Sequence, residues 1–201
     1  MRNMQSEYQN IITEWASGQP LVQQVVTLFE KVRDIPYGDI GSRDPLDVYR
    51  KNKGTCSGKH ELLKGLYREL GLEVKDYLVM HRFKQLPVKF PDEIMDILER
   101  TDIVDPHNYF KVKIGDKWLT VDVTWDKALK KLGFPINENW DGQSDMKVVV
   151  APGGEVYESD YPIALKKSLI QSLPAQVQAD RQLFLDTTTK WLDHLRETGD
   201  I

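Results

Sequence analysis

Cys56 is the strongest candidate for a reactive residue in this sequence, because it is the only cysteine among 201 residues. Apolar residues recur at helical spacing from Leu62 to Leu70, and Gly71 follows as a stop signal, so a helix is predicted just after Cys56. Thr55 is its predicted N-cap. A thiol at a helix N-terminus faces the positive end of the helix dipole, which favours the nucleophilic thiolate. A buried structural cysteine is the alternative that this stretch leaves open.

A second chemical signal lies in a predicted β-hairpin. Residues 108–114 and 117–123 alternate apolar and polar side chains, and the loop Gly115-Asp116 between them suits a type II′ turn. Pairing the residues on either side of this loop makes one face of the hairpin apolar throughout. A slip of one residue would destroy that face, so the register is well specified.

The other face of this hairpin pairs Tyr109 with Asp122 and places His107 diagonal to Asp122. Diagonal neighbours lie about 7–8 Å apart at the backbone, which is within reach of a hydrogen bond between these two side chains. We therefore predict a catalytic set in which Cys56 is the nucleophile and His107 is the general base and acid. Asp122 would hold the imidazole in the right tautomer and stabilise its charged form.

Further contacts to a substrate follow from the same hypothesis. The backbone N–H of Cys56 is the predicted first donor to an oxyanion, and Tyr37 and Asn52 are two guesses for the second donor. Trp118, Tyr109 and Asn52 are the predicted substrate-binding residues. Simple packing is the alternative for the two aromatic side chains, as it also is for Trp125.

The remaining histidines are alternatives to His107. His60 lies one helical turn from Cys56 and could contact the thiol, although a packing or surface role is favoured. His81 could act as the base, but its predicted strand shows no paired acid. His194 is predicted to be a surface residue of a terminal helix.

Three motifs in order resemble those of the transglutaminase-like superfamily. Gly54-Thr55-Cys56, followed by a leucine-rich helix, resembles its cysteine motif. His107-Asn108-Tyr109 and residues 118–125 resemble its histidine and aspartate motifs, and the spacings of 51 and 15 residues between the three candidate side chains suit it. The resemblance covers about residues 35–126, with a weaker case for residues 147–150.

This resemblance implies an α+β, papain-like fold in which a nucleophile-bearing helix packs on an antiparallel sheet. It implies an enzyme that forms a thioester from an amide substrate and passes the acyl group to water or to an amine. The expected activity is therefore a protease-like hydrolase or a transglutaminase-like acyl transferase, with hydrolysis favoured. The expected substrate is a peptide, a protein or a small amide.

The chain is predicted to form a single domain over residues 1–201. N-terminal helices are expected in 1–34, the transglutaminase-like core in 35–150 and C-terminal helices in 155–201. Within the core, the patterns predict a loop, two strands and a short helix in the following places: 34–53 as loop, Val74 to Phe83 as strand, a short helix after Pro91, and 147–150 as strand.

Composition restricts the partners. The formal net charge of -4 argues against nucleic acid, and no apolar run reaches membrane-spanning length. With one cysteine and four scattered histidines, neither a metal site nor a cofactor is predicted. One cysteine cannot form an internal disulfide, and the N-terminus has no apolar signal region, so a cytoplasmic protein is expected. The sequence leaves the oligomeric state open.

A catalytically silent binding or scaffolding module is the alternative to an enzyme. Close approach of the Cys56 sulfur to His107 would favour catalysis. A side chain that plugs the cleft, or burial of Cys56 beneath the terminal helices, would favour the scaffold.

Overall fold

The computed structural model describes residues 2–150 and 152–201, and these form an α+β structure consistent with a papain-like fold. Its sheet has four antiparallel strands in the order β3-β2-β1-β4. The described α-helices are α1 Arg2–Ala16, α2 Leu21–Arg33, α3 Pro45–Lys51, α4 Cys56–Glu69, α5 Asp92–Arg100, α6 Pro162–Gln171 and α7 Ala175–Thr198. The strands are β1 Val74–Arg82, β2 Val104–Ile114, β3 Lys117–Val121 and β4 Pro152–Glu158.

Helix α4 is the central helix, and it packs on the sheet as the family resemblance implies. One stripe of its side chains is completely buried against the apolar face of the hairpin formed by β2 and β3. The N-terminal helices α1 and α2 pack on the other side of α4. This arrangement buries apolar area on several sides of α4 and so fixes the position of its first residue, Cys56. The fully buried stripe comprises Leu62, Leu63, Leu66 and Tyr67.

The hairpin has the predicted register. Val112 faces Leu119, and Phe110 faces Val121, and all four side chains are buried. Gly115 has φ of 59°, whereas the following Asp116 does not adopt a positive φ, as a type II′ turn requires.

Helix α3 lies inside the segment 34–53, which the sequence predicted to be a loop, so that prediction was wrong in part. The Asp44 side chain caps α3 by accepting hydrogen bonds from the backbone N–H groups of Leu46 and Asp47. Pro45 occupies the first turn, and Asn52 ends the helix in the left-handed conformation with φ of 46°. Because α3 has only seven residues, its apolar periodicity is too short to stand out among the neighbouring glycines and prolines.

The fourth strand is β4, so the prediction of a strand at 147–150 was wrong. Residues 147–150 pair with no strand among the described residues. Instead, the Val149 N–H donates to the carboxylate of Asp122. The real strand pairs antiparallel with β1 and includes residues 155–158, which were expected to begin the helical C-terminal part.

The C-terminal helices pack over the end of the sheet that carries His107. Helix α6 contacts β1 and β2, and α7 packs against α5. No helix in 2–150 or 152–201 is long and apolar enough to cross a membrane.

Candidate active site

Cys56 is the first residue of α4, and Thr55 has the extended backbone of an N-cap. The predicted capping bond is missing, because the buried Thr55 hydroxyl has no hydrogen-bond partner among the described residues. The Cys56 side chain is largely buried, with only 7% of the residue exposed. Its sulfur lies 3.7 Å from Nζ of Lys166, a residue of α6.

His107 and Asp122 form the side-chain hydrogen bond that the hairpin register predicts, with 2.7 Å between Nε2 and Oδ2. Strand β3 ends at Val121, so Asp122 lies just beyond the ladder with its carboxylate turned toward β2. Both side chains are almost completely buried. This carboxylate also accepts hydrogen bonds from the backbone N–H groups of Val149 and Thr124 and from the Thr124 hydroxyl.

These contacts determine the ionisation of the Asp122 carboxyl. Burial alone would raise its pKa, but His107 outweighs burial by its positive charge and by its hydrogen bond, so the pKa lies well below the usual range. Asp122 is therefore an anion that accepts hydrogen bonds at both oxygens, and it can hold the His107 ring in one orientation.

Cys56 and His107 each shift the pKa of the other toward the ion pair. Burial opposes the thiolate, but the positive charges of Lys166 and His107 lower the pKa of Cys56 to about 5. Burial likewise opposes the imidazolium, but Asp122 and Cys56 raise the pKa of His107 to about 9. Between these values the pair is a thiolate and an imidazolium, which is the nucleophilic form.

His60 supports this arrangement without contacting the thiol through a hydrogen bond. Its Nδ1 lies 2.6 Å from the Cys56 carbonyl oxygen, and its Nε2 accepts from the Val123 N–H at 3.1 Å. A carbonyl can only accept, so Nδ1 is the donor in this hydrogen bond. His60 therefore ties the start of α4 to the segment beside Asp122. The surface role considered for it is excluded, because only 2% of it is exposed.

A second buried carboxylate, Asp105, lies on β2 close to these groups. It forms ion pairs with Arg181 of α7 and, at 3.5 Å, with Lys166 of α6. Burial would raise its pKa, but Lys166 and Arg181 lower it to about 2. Asp105 thus holds both C-terminal helices over the thiol.

His81 does have an acid opposite it, contrary to the sequence expectation, because β1 and β2 pair it with Asp105. Its Nε2 lies 3.9 Å from Oδ2 of Asp105, and its Nδ1 has no partner among the described residues. Burial lowers the pKa of His81 to about 3, so this ring is neutral and a poor base at neutral pH. His194 is exposed, as predicted.

The two guesses for a second oxyanion donor lie in different places. Tyr37 is buried near the thiol, and its pKa is raised well above the usual range by burial and then by the negative charge of Cys56. Asn52, also a predicted substrate contact, is exposed at the end of α3 and lines a separate cavity with Trp15 and Glu30. The structure therefore brings Tyr37, but not Asn52, toward Cys56.

The two aromatic residues predicted to bind substrate, Tyr109 and Trp118, lie on different strands of the sheet. Tyr109 shares the sheet face of His107 and stacks on Tyr77, with 5.4 Å between ring centroids. Trp118 is half-buried on the edge strand β3, where the ammonium group of Lys75 lies 5.2 Å from its ring centroid. Trp125 is buried against Tyr37 at 4.4 Å.

Sequence reasoning missed Lys166, Asp105 and Arg181, which surround the thiol from the C-terminal helices and from β2. A lysine and an arginine on amphipathic helices look like ordinary surface residues, so no local pattern marks them. Asp105 offered a weak signal, because an aspartate two residues before His107 shares its face of the strand. No group of three or more His, Cys, Asp or Glu side chains in 2–150 and 152–201 is placed to bind a metal ion.

Comparisons with known proteins give little further information. No family model matches the chain, and no curated protein matches it. Among solved structures, the chain is similar to the crystal structure of a putative cysteine protease from Cytophaga hutchinsonii, with 16% sequence identity and a TM-score of 0.44. That match covers 78% of this chain and 49% of the other, so the chain spans about half the length of that protein.

Proposed function

We propose that this protein is a cysteine-dependent amide hydrolase or acyl transferase. The observation that carries the proposal is the 2.7 Å hydrogen bond from His107 to the buried carboxylate of Asp122, together with a thiol at a helix start whose pKa is lowered to about 5. A thiolate at a helix start, a proton carrier and an anion that orients it are the three groups that acyl transfer requires.

In the proposed reaction the Cys56 thiolate attacks the carbonyl carbon of an amide, and an S–C bond forms. The oxyanion accepts a hydrogen bond from the Cys56 N–H, which has no intrahelical acceptor because it lies in the first turn of α4. Tyr37 is the proposed second donor. The imidazolium of His107 then protonates the leaving amine as the C–N bond breaks, which gives a thioester.

The second half of the reaction releases the acyl group. Neutral His107 accepts a proton from water, or from an amine in the case of transfer, as that nucleophile attacks the thioester. The C–S bond breaks, and the acid or the new amide leaves while the thiolate–imidazolium pair is restored. Asp122 stays ionised throughout and holds the ring of His107.

The test is incubation of the full chain with a pool of casein peptides, with mass spectrometry for new termini and a measurement of ammonia release. Cys56→Ala should lower the rate by a factor on the order of 10³ or more, because the nucleophile is lost. Hydroxylamine should divert the acyl group into hydroxamates if a thioester forms. Lys117→Gln, at the exposed first residue of β3, is a matched surface control and should retain the rate. Equal activity of Cys56→Ala and wild type would refute the proposal.

A catalytically silent binding module is the second candidate, and a specific observation favours it. The thiol is 7% exposed, and Lys166 from the C-terminal helices lies against it. In this case the thiolate would be a structural ion-pair partner. Rapid alkylation of Cys56 by iodoacetamide in the folded protein would contradict this candidate, whereas protection of Cys56 until global unfolding would support it.

A further inference from the structure

A cavity of about 360 Å³ lies beside Cys56, between the start of α4 and the C-terminal helices. Ser57 lines it from α4, and its hydroxyl donates to the side-chain oxygen of Asn108 at 2.8 Å. Lys166, which contacts the Cys56 sulfur, lines it from α6. Cys56 is not itself a lining residue, so a group bound in this cavity would be separated from the nucleophile by the side chain of Lys166 or Ser57.

The charged side chains that line this cavity are all cations, namely Arg43, Lys166, Lys167 and Arg181. Their carboxylate partners, Asp39 and Asp105, are not among the lining residues.

These carboxylates leave part of the positive charge unbalanced. Asp105 partners both Lys166 and Arg181, the Cys56 thiolate also faces Lys166, and Asp39 partners Arg43. Lys167 is exposed and makes no ion pair within the described part of the chain. The cavity is thus positive, although the whole chain carries a net charge of -4.

We propose that this cavity is an anion subsite that binds a carboxylate of the substrate, so that the amide attacked by Cys56 belongs to an acidic compound. Arg43 and Lys167 are the proposed carboxylate contacts, since one is half-exposed and the other is free of ion pairs. Two isoleucines, Ile163 and Ile170, give the cavity an apolar wall that suits the aliphatic part of such a substrate. The claim that Cys56 attacks an amide rests on the proposed function, whereas the claim that the cavity binds an anion does not.

The carboxylate could come from two sources, an acidic side chain or a free terminal carboxylate of a peptide. Both present the same planar anion, which a guanidinium can bind through two hydrogen bonds and an ammonium through charge.

The first experiment compares alkylation of Cys56 by iodoacetate and by iodoacetamide, which differ mainly in the negative charge. In both reactions the thiolate sulfur bonds to the methylene carbon and iodide leaves with the electron pair. The ratio of the two rate constants therefore cancels the thiolate fraction. Relative to glutathione, we expect the ratio for Cys56 to be about tenfold higher, because the cations attract iodoacetate.

Matched variants assign this preference to the cavity. Lys167→Gln and Arg43→Gln should each lower the ratio about threefold, as expected for loss of one partly exposed charge contact. Lys117→Gln removes one charge from the first residue of β3, which pairs with Ile114 about 23 Å along β2 from His107, and should leave the ratio unchanged. A wild-type ratio equal to that of glutathione would overturn the proposal. A high ratio that both cavity variants retain would also overturn it, since Lys166 alone would then explain the preference.

A second experiment identifies the source of the carboxylate with three peptides of equal length. One contains Glu and an amidated C-terminus, the second contains Gln and a free C-terminus, and the third contains Gln and an amidated C-terminus. Cleavage of the first or the second peptide at a higher rate than the third supports the anion subsite. Preference for the first peptide identifies an acidic side chain as the source of the carboxylate, and preference for the second identifies the terminal carboxylate. Equal cleavage of all three, without an iodoacetate preference, overturns the subsite and leaves the proposed function standing. No cleavage, with the iodoacetate preference intact, supports the subsite and counts against the proposed function.

Discussion

Cys56 has two cationic neighbours, and each has a separate structural origin. His107 comes from β2 and Lys166 from α6, and both stabilise the thiolate against the cost of burial. Only His107 can also carry a proton to and from a reacting group near neutral pH, because Asp122 keeps its ring oriented and charged. In the proposed reaction, proton transfer therefore depends on His107, while Lys166 contributes to lowering the pKa of Cys56.

The pH dependence of alkylation tests this assignment. The rate constant for iodoacetamide should rise through pH about 5 in the wild type, because the thiolate forms at the lowered pKa of Cys56. It should then be nearly constant up to the region where His107 deprotonates, near pH 9. In His107→Ala the midpoint should move toward about 8.5, the value of a free thiol, so reactivity at pH 6 should be largely lost.

The exposed His194 provides the control for this experiment, and His194→Ala should keep the wild-type profile. A single midpoint near the free-thiol value in both wild type and His107→Ala would rule out the thiolate–imidazolium pair.

Helix α4 approaches α1 closely enough that a side chain at one position must be absent. A Cβ added at Gly65 would lie 2.4 Å from Cζ of the Tyr8 ring and 2.6 Å from its hydroxyl oxygen. Tyr8 is buried, so its ring would have to shift before a methyl group could fit at position 65. Position 65 therefore requires glycine because α1 packs closely against α4, and not because of the backbone conformation at this residue.

Gly65→Ala should lower the free energy of unfolding by about 1–3 kcal/mol, because the added methyl group overpacks the contact between α1 and α4. Urea denaturation measures the loss. The double variant with Tyr8→Leu should lose less than the sum of the two single variants, since the smaller side chain makes room. Strict additivity of the two changes would show that the contact with Tyr8 does not limit this position.

At the scale of the whole molecule, Asp105 links β2 to both α6 and α7 across the candidate site through Lys166 and Arg181. The folded-state pKa of Asp105 is about 2, below the value of about 3.9 in an unfolded chain. A carboxyl with a lowered folded-state pKa stabilises the fold above its unfolded pKa and loses that contribution as the pH falls through its folded pKa.

Asp105 should therefore contribute about 2–3 kcal/mol to the unfolding free energy at neutral pH, and this contribution should disappear between about pH 4 and pH 2. In Asp105→Asn the stability at pH 7 should fall by about 3 kcal/mol or more, because two cations lose their buried partner. The remaining pH dependence below pH 4 should be shallower than in the wild type. Urea denaturation at pH 7, 4 and 3 measures both effects.

Asp116→Asn is the matched control, because this carboxyl lies in the exposed hairpin turn and makes no ion pair within the described part of the chain. It should leave the wild-type curve unchanged. An acid profile of Asp105→Asn as steep as that of the wild type would mean that Asp105 does not contribute to acid sensitivity.

The sequence alone determined the elements whose residues repeat with a regular period. Leucines at helical spacing predicted α4, and the alternating pattern around Gly115-Asp116 predicted the hairpin, its register and the contact between His107 and Asp122. These features are local, since a strand register follows from side chains that are opposite each other across a two-residue turn.

Only the tertiary structure decided what surrounds the candidate nucleophile. Lys166 is 110 residues from Cys56, and Arg181 is 76 residues from Asp105, so no periodicity connects either pair. The segment 147–150 shows the same limit, because its pattern suits a strand while its backbone bonds to Asp122. Contacts between distant segments depend on how whole elements pack, and the free energy of that packing is shared among many side chains rather than written in one motif.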